Sequence, residues 1–245
     1  MPQFFIEKDV VVGENIHLEG PDAKHIASVL RLHEGEKLLL SSGNGRSYMS
    51  ELINVTPRHI EAKILFERPY RDKQKSPTLA QAIIQYEKTE WIFQKAVELG
   101  VPTILPFSSS RSVSRMVEGI QEKKLQRWNH IAREAAKQSG LPFLPSIEAP
   151  LSFDQLLKKF SSFHTILFFW EGEEKNDFSS LALHQFKHPV LMVIGPEGGF
   201  SSEEARRARD AGATSLSLGP QILRVETAAI TALSVCQYTL GNLSL

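Results

Sequence analysis

Residues 190–204 read VLMVIGPEGGFSSEE, and residues 214–228 read TSLSLGPQILRVETA. Each begins with a strand-like run and passes through a Gly-Pro loop toward a helix signal. Val190–Ile194 is five apolar residues in a row, the length and composition of a strand buried on both faces. Ser201 followed by Glu204 is a capping box, which opens a helix that Gly212 ends. Thr214–Leu218 predicts the next strand and Glu226–Leu240 the last helix. Strand followed by helix, twice in succession, predicts a mostly parallel sheet covered on both faces.

The same pattern extends upstream. Thr165–Phe169 predicts a strand, and Ser152 with Gln155 forms another capping box ahead of a stripe of Phe153, Leu156, Leu157 and Phe160. Gln121–Ser139 carries Leu125, Trp128, Ala132 and Ala135 at helical spacing and stops at Gly140. Leu79–Gln85 and Val101–Phe107 read as strands on either side of a helix over Glu90–Leu99. Residues 75–245 therefore read as one α/β domain.

Before it the period changes. Residues 68–78, RPYRDKQKSPT, are a polar, proline-bearing break and read as a linker. Residues 1–70 read as β. Glu36–Ser42 and Tyr48–Val55 flank Gly43-Asn44-Gly45, a hairpin signal, because Asn-Gly accepts the positive φ of a tight turn. Ile60, Ala62, Ile64 and Phe66 alternate along a third strand, and a short helix is expected over Asp22–Arg31. Short strands with tight turns suggest a small barrel.

Composition removes several classes. Hydrophobic content of 42% with 23% charged residues describes a chain able to bury a core across its 245 residues. Lys+Arg and Asp+Glu are both 28, so a blanket coating of nucleic acid is not expected, although a local basic face is compatible. A single cysteine, Cys236, excludes an intramolecular disulfide framework and fits a reducing, cytoplasmic setting. The apolar runs are far shorter than the ~20 residues of a membrane helix, and MPQFFIEKDV lacks the plan of a secretory signal. No metal-type cluster of His and Cys is present, nor a P-loop, a GxGxxG after an early strand or a GxSxG.

Ligands of open α/β sheets bind beyond the carboxyl ends of the strands. Three loops lie there: Trp170–Glu174, Gly195–Phe200 and Gly219–Arg224. Taken singly, each Gly-Pro loop reads as a tight turn. Two after successive strands, with the carboxylate of Glu197 set among glycines, point to a ligand.

The segments IGPEGGFSSEE at 194–204 and LSLGPQILRVETAAITAL at 216–233 resemble the SPOUT methyltransferases. Within them the chain is similar to the RsmE branch, which methylates N3 of a uridine in 16S ribosomal RNA. The likeness extends to HIASVLRLHEGE at 25–36, KTEWIFQKAVELGV at 88–101, SSSRSV at 108–113 and WNHIAREAAKQSG at 128–140, in the family's order. It implies an N-terminal PUA-like RNA-binding β-barrel over 1–70. It also implies a SPOUT α/β domain over 75–245 with a deep C-terminal trefoil knot. The cofactor implied is S-adenosylmethionine, the substrate 16S ribosomal RNA, and the assembly a homodimer.

On this resemblance the cofactor falls to Phe169, Trp170 and Glu171 from the first loop. From the second come Ile194, Gly195, Pro196, Glu197, Gly198 and Gly199. From the third come Leu218, Gly219, Ile222 and Leu223, with Thr227 and Ala228 of the following helix. Arg224 and Glu197 are the candidate catalytic residues. Lys24, Arg31 and Lys37 in the first domain, and Arg111 in the second, are candidate RNA contacts. Gln3, Leu141, Gln221 and Val225 depart from the family's usual residues, the first three where arginine is common. A knotted enzyme acting on another RNA position, and a non-catalytic RNA-binding assembly factor, are the alternative readings.

Overall fold

The computed structural model describes residues 1–69, 76–112, 122–174, 176–178 and 186–243. The linker segment 70–75 and the start of the helix expected at Gln121 lie outside them. The chain forms two compact units, Met1–Asp72 with Ala136–Leu144, and Lys73–Ala135 with Pro145–Leu245.

In the first unit five strands follow the spatial order β1-β3-β4-β5-β2: β1 Gln3–Phe5, β2 Asn15–Glu19, β3 Lys37–Ser41, β4 Ser47–Val55 and β5 His59–Arg68. The β3–β4 hairpin turns at the Gly-Asn-Gly segment, as its sequence predicts. Register shifts between Met49 and Ser50 and between Leu52 and Asn54 bend the β4–β5 pair, as bulges do. The curled sheet wraps Phe4, Ile16, Leu18, Leu38, Leu40, Tyr48, Ile60 and Ile64. The helix expected over 22–31 divides into α1, Gly20–Lys24, and one π-helical turn, His25–Val29. The chain leaves that turn with Arg31 at φ 53°, left-handed backbone that a non-glycine residue seldom adopts.

Residues 136–144 complete this unit. Gln3 Nε2 donates to the Leu141 carbonyl at 2.5 Å, and Ser41 Oγ to the Pro142 carbonyl at 2.6 Å. Lys137 pairs with Asp22 at 3.0 Å. Two of the departures from the family pattern, Gln3 and Leu141, are thus joined by a hydrogen bond, and both are buried.

The second unit holds a parallel sheet in the order β12-β10-β11-β6-β7-β8, with β9 also beside β7. Its strands are β6 Thr78–Ala82, β7 Thr103–Ser108, β8 Ser146–Ile147, β9 Leu151–Ser152, β10 Thr165–Phe169, β11 Val190–Ile194 and β12 Thr214–Leu216. The helices are α2 Tyr86–Glu98, α3 Glu122–Ser139, α4 Phe153–Lys159, α5 Ser202–Asp210 and α6 Val225–Thr239. Both capping boxes form as the sequence predicts. Phe107, Phe153, Phe168 and Phe200 meet in the core between sheet and helices, with Phe168 and Phe200 centroids 4.2 Å apart.

The register places the site. Phe169, the last residue of β10, lies opposite Ile194, the last of β11, and opposite Leu216, the last of β12. Three loops therefore leave one end of the sheet side by side.

Candidate active site

These loops line a cavity of about 550 Å³. Phe169, Trp170 and Glu171 come from the first loop, Ile194 to Gly199 from the second, and Leu218 to Arg224 from the third, with Ala228 on α6. Of the residues expected at the cofactor, Thr227 alone is absent from the lining; it is exposed in the first turn of α6. Lys88 and Glu226 also line the cavity and form an ion pair at 3.5 Å. Sequence reasoning left both off the site, although each lies in a segment that carries the family resemblance.

The backbone supplies unpaired donors. The N–H groups of Glu197, Gly198, Leu218, Gln221, Ile222 and Leu223 have no partner among the described residues. The glycines leave room where a side chain would intrude. At Gly195 a β-carbon would come within 2.9 Å of the Phe200 ring, and Gly199, at φ 63°, lies against the Glu171 carboxylate.

The two candidate catalytic side chains differ in how they are held. Arg224 is the N-cap residue of α6 and is exposed at the cavity, and its guanidinium has no partner among the described residues. Glu197 is exposed too. Its Oε1 accepts one long bond, 3.4 Å, from the N–H of Gln85 just ahead of α2.

Arg111 turns inward onto the second loop. Its Nη1 donates to the carbonyls of Gly198 at 3.2 Å and Phe200 at 3.4 Å. Trp170 Nε1 reaches the same Phe200 carbonyl at 3.2 Å. Behind the loop, the carboxylate of Glu204 is buried. Burial pushes its pKa up, but N–H groups of Ser110 and Ser201 and the hydroxyls of Ser110 and Ser109 outweigh that and hold it below the ordinary glutamate value. In the first unit, Lys24 ends α1, Lys37 begins β3 and Arg31 follows the π-helical turn; all three are exposed.

Residues 71–237 match the RNA methyltransferase domain family, and residues 18–65 match the RNA methyltransferase PUA domain family. The ribosomal RNA small subunit methyltransferase E of Bacillus subtilis is 30% identical over 247 residues, 97% of this chain and 96% of that protein. The chain belongs to the ribosomal RNA small subunit methyltransferase E family. The family member from Mesomycoplasma hyopneumoniae is 36% identical over 186 residues, 76% of this chain and 80% of that one. A family structure from Neisseria gonorrhoeae, bound to S-adenosyl methionine, has a TM-score of 0.86 at 29% identity and covers 97% of both chains. A methyltransferase from Legionella pneumophila, in complex with the same cofactor, has a TM-score of 0.82 at 32% identity, covering 96% of both. The fold is the family's, a PUA-like sheet followed by a SPOUT α/β domain.

The cavity fits the cofactor on its own terms. S-adenosylmethionine is a sulfonium and an ammonium with one carboxylate, so carboxylates around it lower its energy. The lining offers Glu171 and Glu197, beside Glu226 in its pair with Lys88, together with N–H groups unpaired among the described residues for the polar edges of the ligand. Its volume falls in the range of small-molecule sites.

Proposed function

We propose that this protein methylates N3 of a specific uridine in 16S ribosomal RNA, using S-adenosylmethionine held in the cavity at the ends of β10, β11 and β12. The observation that carries this reading is the pairing of that cavity with Arg224 at its lining, whose guanidinium has no partner among the described residues. The 217–224 segment is assigned to the trefoil crossing, beside the first loop: the N–H of Trp170 donates to the Leu216 carbonyl and that of Ser217 to the Asn176 carbonyl.

When bound, the cofactor supplies an electrophilic methyl group. The chain's residues do the remainder. Uracil N3 is a poor nucleophile while it keeps its proton. The Arg224 guanidinium offsets the negative charge that spreads onto the uracil carbonyl oxygens as the proton leaves. Glu197 is assigned as acceptor of that proton, its carboxylate oriented by the Gln85 N–H. The loops hold donor and acceptor in line, which supplies most of the rate. N3 lies on the Watson–Crick edge, so the base must be unpaired or extruded before it enters.

In the first unit, Arg31, Lys24 and Lys37 are assigned to RNA phosphates. Arg31 supports this assignment, since its backbone is held left-handed and its guanidinium has no partner among the described residues. A homodimer is assigned to the face formed by α2 and α6, which pack together. Those helices expose Trp91 (44%) on α2, and Val235 and Tyr238 (52%) on α6. The protein would act in the cytoplasm, where ribosomal subunits are assembled.

The test is methyl transfer from labelled S-adenosylmethionine to small subunits from a strain lacking the protein, followed by nucleoside analysis. One new N3-methyluridine is expected. Arg224→Ala should remove it while cofactor affinity changes little. Label on another nucleoside would replace the substrate, and no label with no cofactor binding would favour a non-catalytic assembly factor.

A further inference from the structure

Glu204 makes more bonds than a helix cap requires. A capping box uses the N-cap residue, here Ser201, whose N–H and hydroxyl lie 3.0 and 3.1 Å from Glu204 Oε2. The same carboxylate also takes Ser109 Oγ at 3.0 Å and the Ser110 N–H at 2.8 Å on Oε1, and Ser110 Oγ at 2.8 Å on Oε2. These extra bonds tie the chain leaving β7 to the start of α5. Within that segment the Ser109 N–H donates to Ser112 Oγ at 3.0 Å, and the Ser112 N–H to the Ser109 carbonyl at 3.1 Å, closing a tight turn.

Arg111 sits in this turn and bonds the loop that lines the cavity. Its Nη1 holds the Gly198 and Phe200 carbonyls. Its Cβ and carbonyl would lie 3.3 and 3.4 Å from a β-carbon on Gly198, so Arg111 covers that glycine closely. Two peptide planes are thereby fixed at both ends. For 198–199, Arg111 holds the C=O and the Pro196 carbonyl accepts the N–H at 2.9 Å. For 200–201, Arg111 and Trp170 hold the C=O and Glu204 the N–H.

We propose that Glu204 and Arg111 are positioning residues for the cofactor loop, Glu204 fixing the 109–112 turn and Arg111, from that turn, fixing the peptides of residues 198–201. This rests on the reading that the cavity takes S-adenosylmethionine. It gives Arg111 a role within its own chain, toward the cofactor and not toward RNA phosphate. A loop ordered before the ligand arrives spares the ligand the cost of ordering it.

The experiment measures S-adenosylmethionine binding to the full chain by calorimetry, without RNA, for wild type, Arg111→Ala, Arg111→Lys and Glu204→Gln. Arg111→Ala should weaken binding about tenfold, and KM for the cofactor should rise more than kcat falls. Arg111→Lys should recover much of the loss, because one nitrogen serves both carbonyls. Glu204→Gln should weaken binding in the same direction, since an amide nitrogen cannot accept the N–H bond that each carboxylate oxygen takes. Amide hydrogen exchange at Gly199 and Ser201, measured without ligand, should quicken in Arg111→Ala. Unchanged cofactor affinity in Arg111→Ala, with a lowered salt slope of RNA binding, overturns the proposal in favour of phosphate contact. Unchanged exchange at both amides overturns it as well. That readout needs no cofactor, so it separates failure of the brace from failure of the cofactor reading. If Glu204→Gln does not fold, Ser110→Ala, which removes one bond to the same carboxylate, takes its place.

Discussion

The carboxylate of Glu171 lies where a side chain on Gly199 would begin: a β-carbon there would come within 1.7 Å of Oε1. The glycine and the glutamate belong to the loops leaving β11 and β10, so the two loops meet at a point where only a hydrogen fits.

Gly199→Ala should therefore disturb the cavity more than the fold. The left-handed φ of 63° costs an alanine roughly 1–2 kcal/mol, a drop of a few degrees in Tm for a chain of this size. Glu171 has a flexible side chain and can swing aside, but it then leaves its place in the lining. Calorimetry should show cofactor binding weakened at least tenfold, with Tm lowered only a few degrees. Affinity equal to wild type would mean that Glu171 takes no part in the site.

Glu204 makes stability depend on acid in a defined way. Its folded pKa lies below the ordinary value of 4.5, so the folded chain binds this proton less readily than the unfolded one. Its contribution is complete above pH ~4.5 and is lost as pH falls through the lower folded value. Glu204→Gln should cost roughly 2 kcal/mol at pH 7, the scale of hydrogen bonds to a charged group. The gap should narrow steadily below pH 4.5. Thermal melts of both proteins from pH 7 to pH 3 check this, and a gap independent of pH would mean that the folded and unfolded chains bind this proton equally, so that the fold does not lower the Glu204 pKa.

Cys236, fully buried in α6, has its thiol pushed up to about 12 by burial. At pH 8 it should not react with an aromatic disulfide reagent in the native state, and one equivalent should react in denaturant. Rapid labelling of the native protein would show that α6 opens readily.

Much of the second unit was legible because its signals are local. Thr165–Phe169 and Val190–Ile194 are runs of adjacent apolar or β-branched residues, and the structure gives strands with those bounds. Ser152 with Gln155 and Ser201 with Glu204 declare their helices within four residues. What was not legible depends on distant partners. β1 is three residues long and is defined by pairing with β3, whose partner residues lie 36 positions away. The left-handed Arg31 carries no glycine to announce it. The capping box accounts for Glu204 so fully that its bonds to Ser109 and Ser110, 95 and 94 residues away, leave no trace in the sequence. Arg111 reads as a surface cation until its bond to the Gly198 carbonyl is seen. At the cavity, Gly-Pro spacing marked the loops, whereas Lys88 reaches the lining from a helix far from them in sequence.

The return of residues 136–144 to the first unit sets an order on synthesis. Gln3 and Ser41 leave the ribosome early, and their partners Leu141 and Pro142 emerge 138 and 101 residues later. At ~5–20 residues per second the edge strand β1 waits several seconds or more for the segment that completes it. The nascent amino-terminal sheet is therefore unfinished throughout the making of α2, β7 and most of α3. A fragment cut at residue 72 would reproduce that waiting state, not the finished domain.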